Sequence, residues 1–424
     1  MTPSHATRRA HSISPIESAI AVIIIVFMAR GLVWIFGGVD PTDRGGISES
    51  GFSYSLTSGI IYSYALYRLI RMNIISKEVL VAAWPMILFV FIAFLSTFWS
   101  ISPSDSFVRS VSLAGTILTG VYLWARFPSR NLISIFGIAF VAMTIASIAL
   151  ANFLPLYGKQ NIGDNMGNWR GIYSHKNPAA YSTILGLITT AYLAATSRRP
   201  WPWLIGSALC VIMLLGSSSR TSLIAISITI SITILILMCT SRSVFVRQTS
   251  VLYAMLIAIS TYYVWTSADS ILNALGRDTT LTGRGLIWPA AIKFWATSPI
   301  LGHGYQAAYL SPEGMPRYMY GIGWRWLPSH SHNSYIDVML GVGLLGLLTF
   351  AMGVITAAVR AIKSFRERTR PEVAWTLVAM IAICVIGFSG RVIMQPNTVE
   401  LLITTIFILA AAQASPGALR QRAG

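Results

Sequence analysis

The chain has 424 residues, of which 54% are hydrophobic and only 11% are charged. Soluble domains carry about a quarter charged residues, so the composition excludes a soluble protein and predicts one all-α domain, residues 1–424, that crosses a membrane many times. The formal net charge of +17 does not indicate nucleic-acid binding, because the basic residues stand in short groups between apolar runs rather than on one soluble face.

Apolar runs long enough to cross a bilayer, about 20 residues each, follow one another along the chain. We predict twelve transmembrane helices, at 16–38, 52–70, 78–99, 107–125, 131–154, 179–197, 201–216, 221–240, 249–267, 334–359, 372–389 and 398–415. The first run is too long for a signal-peptide core, and no small-residue cleavage site follows it. We therefore expect it to be retained as a span.

The distribution of lysine and arginine predicts the orientation of these spans. With both termini in the cytoplasm, 18 of the 31 basic residues lie in cytoplasmic segments and 11 in outer segments, while Arg30 and Arg109 lie within spans. Short cytoplasmic loops of membrane proteins are enriched in basic residues, and every short loop assigned to that side carries at least two. Two long loops, 155–178 and 268–333, then lie outside, the second between spans nine and ten.

Polar segments that could bind a substrate are concentrated on the outer side. They are Arg170, His175 and Lys176 in NWRGIYSHKNP (168–178), Arg220 in SSSRTS (217–222), Arg284 in LTGRGLIW (281–288), and His332 with Asn333 in HSHNSYIDV (330–338). Arg30 and Arg109 fall in the outer halves of spans one and four. A charge at the centre of a membrane helix costs about 2.5–3.5 kcal/mol, so a charge within a span indicates a function.

Arginine in this setting favours an anionic lipid as the substrate. Its rigid donor fork suits phosphate oxygens, so arginines beside a bilayer indicate a lipid headgroup such as a diphosphate. The sequence contains no Asp-x-Asp pair, and we expect neither a metal nor another cofactor. A neutral imidazole can accept the proton of a hydroxyl group. The combination predicts transfer of a group from a lipid diphosphate to a sugar hydroxyl.

The start of the tenth span carries the most specific pattern. His332 and Asn333 are followed by nine residues and then by GLLG at 343–346. The chain thereby resembles the O-antigen ligase / Wzy-type polymerase superfamily, particularly its ExoQ-like exopolysaccharide-production branch, whose hallmark is a histidine, a small polar residue, nine variable residues and Gly-x-x-Gly. Three further parts of the chain resemble family segments. They are LTGRGLIW (281–288) together with SPILGHGY (298–305), SSSRTSL (217–223), and RGIYSHKN (170–177). Trp288 replaces a frequent leucine, and Gly341 replaces a frequent acidic residue for which Asp337 could substitute.

The resemblance implies a GT-C-like membrane glycosyltransferase in the bacterial inner membrane. It would polymerise oligosaccharide repeat units from undecaprenyl diphosphate at the periplasmic face, under the cover of the two outer loops, with membrane lipid around it and a flippase and a chain-length regulator as candidate partners. An O-antigen ligase that transfers polysaccharide to lipid A-core is the alternative. A lipid-linked oligosaccharide transporter is the alternative of another class, although the charges gather in the outer half only.

Within this interpretation, His332 and Arg284 are the expected catalytic residues. The expected substrate-binding residues are Arg170, His175, Lys176, Arg220, Arg109, Arg30 and Asn333. A structural alternative exists for the histidine segment, because Ser331 or Asn333 could cap the tenth helix.

Overall fold

The computed structural model describes residues 13–31, 52–73, 77–161, 165–266, 284–321, 328–366 and 372–413. Within these ranges the helices are, in chain order, α1 Pro15–Met28, α2 Phe52–Arg71, α3 Lys77–Ala82, α4 Trp84–Leu95, α5 Pro103–Arg126, α6 Ser129–Phe153, α7 Pro155–Gly158, α8 Lys176–Thr196, α9 Trp201–Gly216, α10 Arg220–Cys239, α11 Val244–Thr266, α12 Arg284–Trp295, α13 Met315–Gly321, α14 Ser334–Arg366, α15 Glu372–Gly387 and α16 Val399–Gln413. An isolated antiparallel bridge joins Lys159 to Trp169. The fold of the described residues is all-α, as predicted.

Each of the twelve predicted spans overlaps one or two of these helices. In the described part of the chain, five helical segments are long and apolar enough to cross a membrane: α5, α6, α8, α10 and most of α14. Six shorter apolar helical segments of 10–17 residues accompany them, in α1, α4 with the 3-10 turn Ser96–Trp99 that follows it, α9, α11, α15 and α16. The chain is a multi-pass membrane protein, and the number twelve stays a prediction.

Two predicted spans are not single regular helices. Residues 78–99 form α3 and α4, which are separated at Ala83 because Pro85 stands in the first turn of α4, where its missing N–H is tolerated. Helix α14 is interrupted within its third turn, where Val342 has φ −127° and Gly343 has φ 64° with ψ −166°. The predicted outer loop 268–333 also contains helical structure, namely α12 and α13.

The helix ends predicted to be cytoplasmic are joined by one buried carboxylate. Glu17, in the first turn of α1, accepts two hydrogen bonds from Arg126 at the end of α5, at 2.8 Å and 2.6 Å. Arg68, at the end of α2, forms a second ion pair with the same carboxylate. Breaking a buried ion pair by removing one partner costs about 3–5 kcal/mol. Glu17 therefore fixes three helices at one end of the molecule.

Candidate active site

The polar segments predicted to be outer come together at the other end of these helices. The backbone N–H of Trp169 donates to Gly216 at 3.0 Å. The Ser219 hydroxyl donates to the Asn177 side chain at 3.1 Å, and Arg284 Nη2 donates to the Ser389 carbonyl at 3.0 Å. Segments far apart in the sequence thus form one polar region.

His332 lies in a tight turn directly before α14. Its φ is 54°, a left-handed conformation that is uncommon for a residue with a side chain. The next residue, Asn333, accepts hydrogen bonds through Oδ1 from the backbone N–H groups of Tyr335 and Ile336, at 3.0 Å and 3.3 Å. Asn333 therefore caps α14, which is the alternative considered for this segment, and a contact of Asn333 with substrate stays a prediction.

The imidazole of His332 is neutral at physiological pH. Burial lowers its pKa to about 3, the positive charges of His330 and Arg284 act in the same direction, and Asp337 opposes them. The rings of His330 and His332 have centroids 4.2 Å apart. A neutral imidazole has a free lone pair, so His332 can accept a proton.

His175 provides a second neutral imidazole beside His332. It caps the start of α8, where its Nδ1 accepts the backbone N–H of Asn177 at 3.2 Å. Burial lowers the pKa of His175 to about 4, and Lys176, His332 and Arg170 add to this effect. Because Nδ1 accepts a hydrogen bond, the ring proton lies on Nε2, which can donate to a bound oxygen.

Arg284 is the first residue of α12 and approaches the histidines. Burial lowers the pKa of its guanidinium, which remains charged. Its hydrogen bond to Ser389 uses one of five N–H donors. The remaining donors have no hydrogen-bond partner among the residues that the structure describes. Arg284 can therefore bind oxygen atoms of an anionic ligand next to His332.

Arg30 and Arg109, the arginines predicted within the spans, lie at the same end of the helices as His332 but contact other residues there. Arg30 donates to the carbonyls of Asn397 and Pro396, at 3.2 Å and 2.8 Å. Arg109 donates to the Gln306 side chain at 3.1 Å. Arg109 lies within α5, as predicted. Arg30 was predicted to lie within the first span, but α1 ends at Met28 and Arg30 follows it with φ 56°, so Arg30 lies outside the helix.

The three remaining predicted residues differ in their surroundings. Arg170 donates to the carbonyls of Tyr157 and Leu156, at 2.9 Å and 3.3 Å, and so stabilises its own loop. Lys176 is buried in the first turn of α8. Arg220 is exposed at the first residue of α10. Arg170 and Lys176 still act electrostatically on His175.

Sequence reasoning missed the segment 388–398 between α15 and α16, which is a centre of this region. Its carbonyls accept hydrogen bonds from Arg30 and Arg284, and the Ser389 carbonyl also accepts one from the Tyr181 hydroxyl at 3.0 Å. Its own Arg391 donates to Gln306 at 3.0 Å. Most of these acceptors are backbone atoms, which leave no residue pattern to recognise.

The segment 298–305 packs directly against the interruption in α14. The N–H groups of His303 and Gly304 donate to Leu340 and Gly341, at 2.8 Å and 2.9 Å. Those of Leu344 and Leu345 donate back to Pro299 and Ile300, at 2.9 Å and 3.2 Å. A Cβ on Gly302 would lie 2.6 Å from the backbone of Gly341 and Gly343. Glycine is therefore required for this close approach of two backbones.

Comparison of the sequence with known proteins finds a match that includes Arg284 and His332. A family model described as O-antigen ligase matches residues 205–351. The chain is 26% identical over 342 residues to the exopolysaccharide production protein ExoQ of Rhizobium meliloti (strain 1021), which covers 76% of this chain and 76% of that protein.

Residues 205–351 of the chain are thus similar to the O-antigen ligase family, and most of the chain is similar to an exopolysaccharide production protein. The segment that matches the family model contains Arg220, Arg284 and His332, together with the interruption in α14. These findings support a membrane enzyme of polysaccharide biosynthesis.

Proposed function

We propose that this protein is a glycosyltransferase of the O-antigen ligase type that polymerises oligosaccharide repeat units carried on undecaprenyl diphosphate. The observation that carries the proposal is the neutral imidazole of His332 beside Arg284. The relative from Rhizobium meliloti is named for exopolysaccharide production, which favours a polymerase. The description of the matching family model favours a ligase as the second candidate.

In the proposed reaction, a hydroxyl group of the acceptor sugar attacks the anomeric carbon of the donor sugar. The His332 imidazole takes the hydroxyl proton while the new carbon–oxygen bond forms. The bond between the anomeric carbon and the diphosphate oxygen breaks, and its electron pair stays on the diphosphate. Arg284 stabilises this charge through N–H donors that make no other hydrogen bond to the described residues.

Donor binding would strengthen His332 as a base. A base with a pKa of about 3 accepts a proton poorly, because general bases act best when their pKa lies near the working pH. Burial is the largest cause of this low pKa and the Arg284 charge adds to it. A diphosphate placed beside Arg284 brings negative charge towards His332 and offsets the effect of that guanidinium. We therefore propose that the donor binds before the acceptor is deprotonated.

The other predicted residues fit roles in donor binding. His175 presents a donor nitrogen, and the neighbouring charges of Lys176 and Arg170 act on it. Arg220 lies at the start of α10, and Arg30 and Arg109 hold the segment 388–398 and Gln306. We propose that this end faces the periplasm and that the Glu17 end faces the cytoplasm, with a flippase and a chain-length regulator as partners.

The test uses lipid-linked repeat units extracted from cells that lack this protein. Purified protein in lipid nanodiscs should lengthen the oligosaccharide, as measured by mass spectrometry. His332→Ala should lower the rate about 10²–10⁴-fold, whereas Glu313→Ala, which removes an exposed loop carboxylate, should not. Product formed only after addition of lipid A-core would favour the ligase. Wild-type turnover by His332→Ala would refute the proposed mechanism, and movement of donor without bond formation would indicate a transporter.

A further inference from the structure

The conformation of His332 needs support from its neighbours. A residue with a side chain adopts a positive φ persistently only where the surrounding structure fixes it. Its neighbour Ser331 is fully buried, and the Ser331 carbonyl accepts a hydrogen bond from Trp288 Nε1 at 2.9 Å. Asn333 is fixed on the other side by capping α14. The turn is thus held at both flanking residues.

One carboxylate oxygen provides the main side-chain support for this turn. Asp337 Oδ1 accepts the backbone N–H of Ser331 at 3.0 Å, and the Ser331 hydroxyl lies 2.5 Å from the same oxygen. That hydroxyl also lies 2.9 Å from the Asn333 carbonyl, but a carboxylate is the stronger acceptor for its single proton. Asp337 therefore joins the first turn of α14 to the residue preceding His332.

The second oxygen of the Asp337 carboxylate, Oδ2, accepts no such hydrogen bond from the described residues. Oδ2 is buried and has no hydrogen-bond partner in the described part of the chain. Both observed contacts of Asp337 use an acceptor oxygen, which the amide of asparagine also has. The geometry therefore separates two functions of Asp337, namely hydrogen-bond acceptance and negative charge.

We infer that Asp337 is a positioning residue for the reaction, which holds the His332 imidazole in place by accepting two hydrogen bonds from Ser331. This inference rests on the proposed function, because it gives His332 the role of base. It assigns the effect of Asp337 to geometry, since its contacts go to Ser331 rather than to the imidazole. The position of His332 would then depend on Oδ1 and would not require the charge.

The test compares Asp337→Ala and Asp337→Asn in the assay with extracted lipid-linked repeat units. Asp337→Ala removes both hydrogen bonds and should lower kcat about 10–100-fold while KM for the donor stays unchanged, because a displacement near 1 Å can cost about 10²-fold in rate. Asp337→Asn keeps the acceptor and should restore kcat to within about threefold of wild type.

Two results would overturn the inference. Asp337→Asn as inactive as Asp337→Ala, at equal amounts of inserted protein, would show that the charge is required. Asp337→Ala with wild-type kcat would show that the turn does not need the carboxyl group. Should Asp337→Ala fail to insert, Ser331→Ala replaces it, with an expected loss of about tenfold in kcat because one hydrogen bond remains. Unchanged kcat in Ser331→Ala would then overturn the inference.

The control is His332→Ala measured in the same series. If it retains wild-type turnover, the proposed function fails together with this inference. If it is inactive and only the Asp337 variants depart from expectation, the proposed function stands and the positioning role alone is refuted. Glu313→Ala, the exposed loop carboxylate, controls for the loss of one acidic residue from the outer side.

Discussion

Replacing Gly343 by alanine should destabilise the protein strongly. Gly343 has φ 64° and ψ −166°, a combination that costs other residues about 1–3 kcal/mol. A Cβ at this position would lie 2.0 Å from the Ile300 carbonyl oxygen, so the segment 298–305 would have to move. The hydrogen bonds from Leu344 and Leu345 to Pro299 and Ile300 would then be lost, at about 1 kcal/mol each.

These effects together lower the free energy of unfolding by about 3–5 kcal/mol. The midpoint of thermal unfolding in nanodiscs should fall by about 5–10 °C, on a scale of roughly 2 °C per kcal/mol. The matched control is Gly59→Ala in α2, where an added Cβ meets no heavy atom within 4 Å. That change should leave the midpoint unchanged or raise it slightly. Equal midpoints for the two variants would refute the role assigned to the interruption in α14.

The remaining predictions concern the chemistry and the orientation. Arg284→Lys keeps the charge but loses the donor fork, so kcat/KM should fall about 10²-fold; a rate near wild type would exclude bidentate binding. Thermal stability should decrease as the pH falls from about 6.5 to about 4. In the unfolded chain histidine binds a proton near pH 6.5, whereas burial holds the pKa of His175 at about 4 and that of His332 at about 3 in the folded chain. Replacing both histidines by glutamine should make thermal stability less dependent on pH over this range. Turnover should continue in excess EDTA, and a loss that Mg²⁺ or Mn²⁺ restores would contradict metal-independent stabilisation of the leaving group. Cysteine at Ile300 should react with an impermeant label from the periplasm and cysteine at Phe365 should not, whereas labelling of 365 from outside would invert the topology.

The sequence predicts the all-α fold and the position of the helices because apolar length is a strong signal. It also predicts that His332 and Arg284 belong to one site, since a specific spacing and a donor type for phosphate both leave recognisable residues. The interruption of α14 was not predicted, although Gly341 and Gly343 were visible. A glycine indicates that an unusual backbone conformation is allowed, but only the packing of 298–305 shows that it is adopted.

The segment 388–398 could not have been predicted from residue types. Arg30 and Arg284 are held there by carbonyl oxygens, which every amino acid possesses. Asp337 was noted as a possible substitute for an acidic residue at Gly341, yet its partner is Ser331, six positions earlier. That contact depends on the left-handed turn at His332, and no sequence pattern indicates such a turn for histidine.

The location of the segment 388–398 has a consequence for biosynthesis of the protein. Arg30 precedes its carbonyl acceptors at Pro396 and Asn397 by 366 and 367 residues, so it is synthesised long before them. Arg284 is likewise synthesised before Ser389, whose carbonyl accepts its hydrogen bond. A nascent chain therefore contains Arg30 and Arg284 before the backbone carbonyls that order them. We expect a chain truncated before Ser389 to lack the ordered Arg284 on which the proposed function depends.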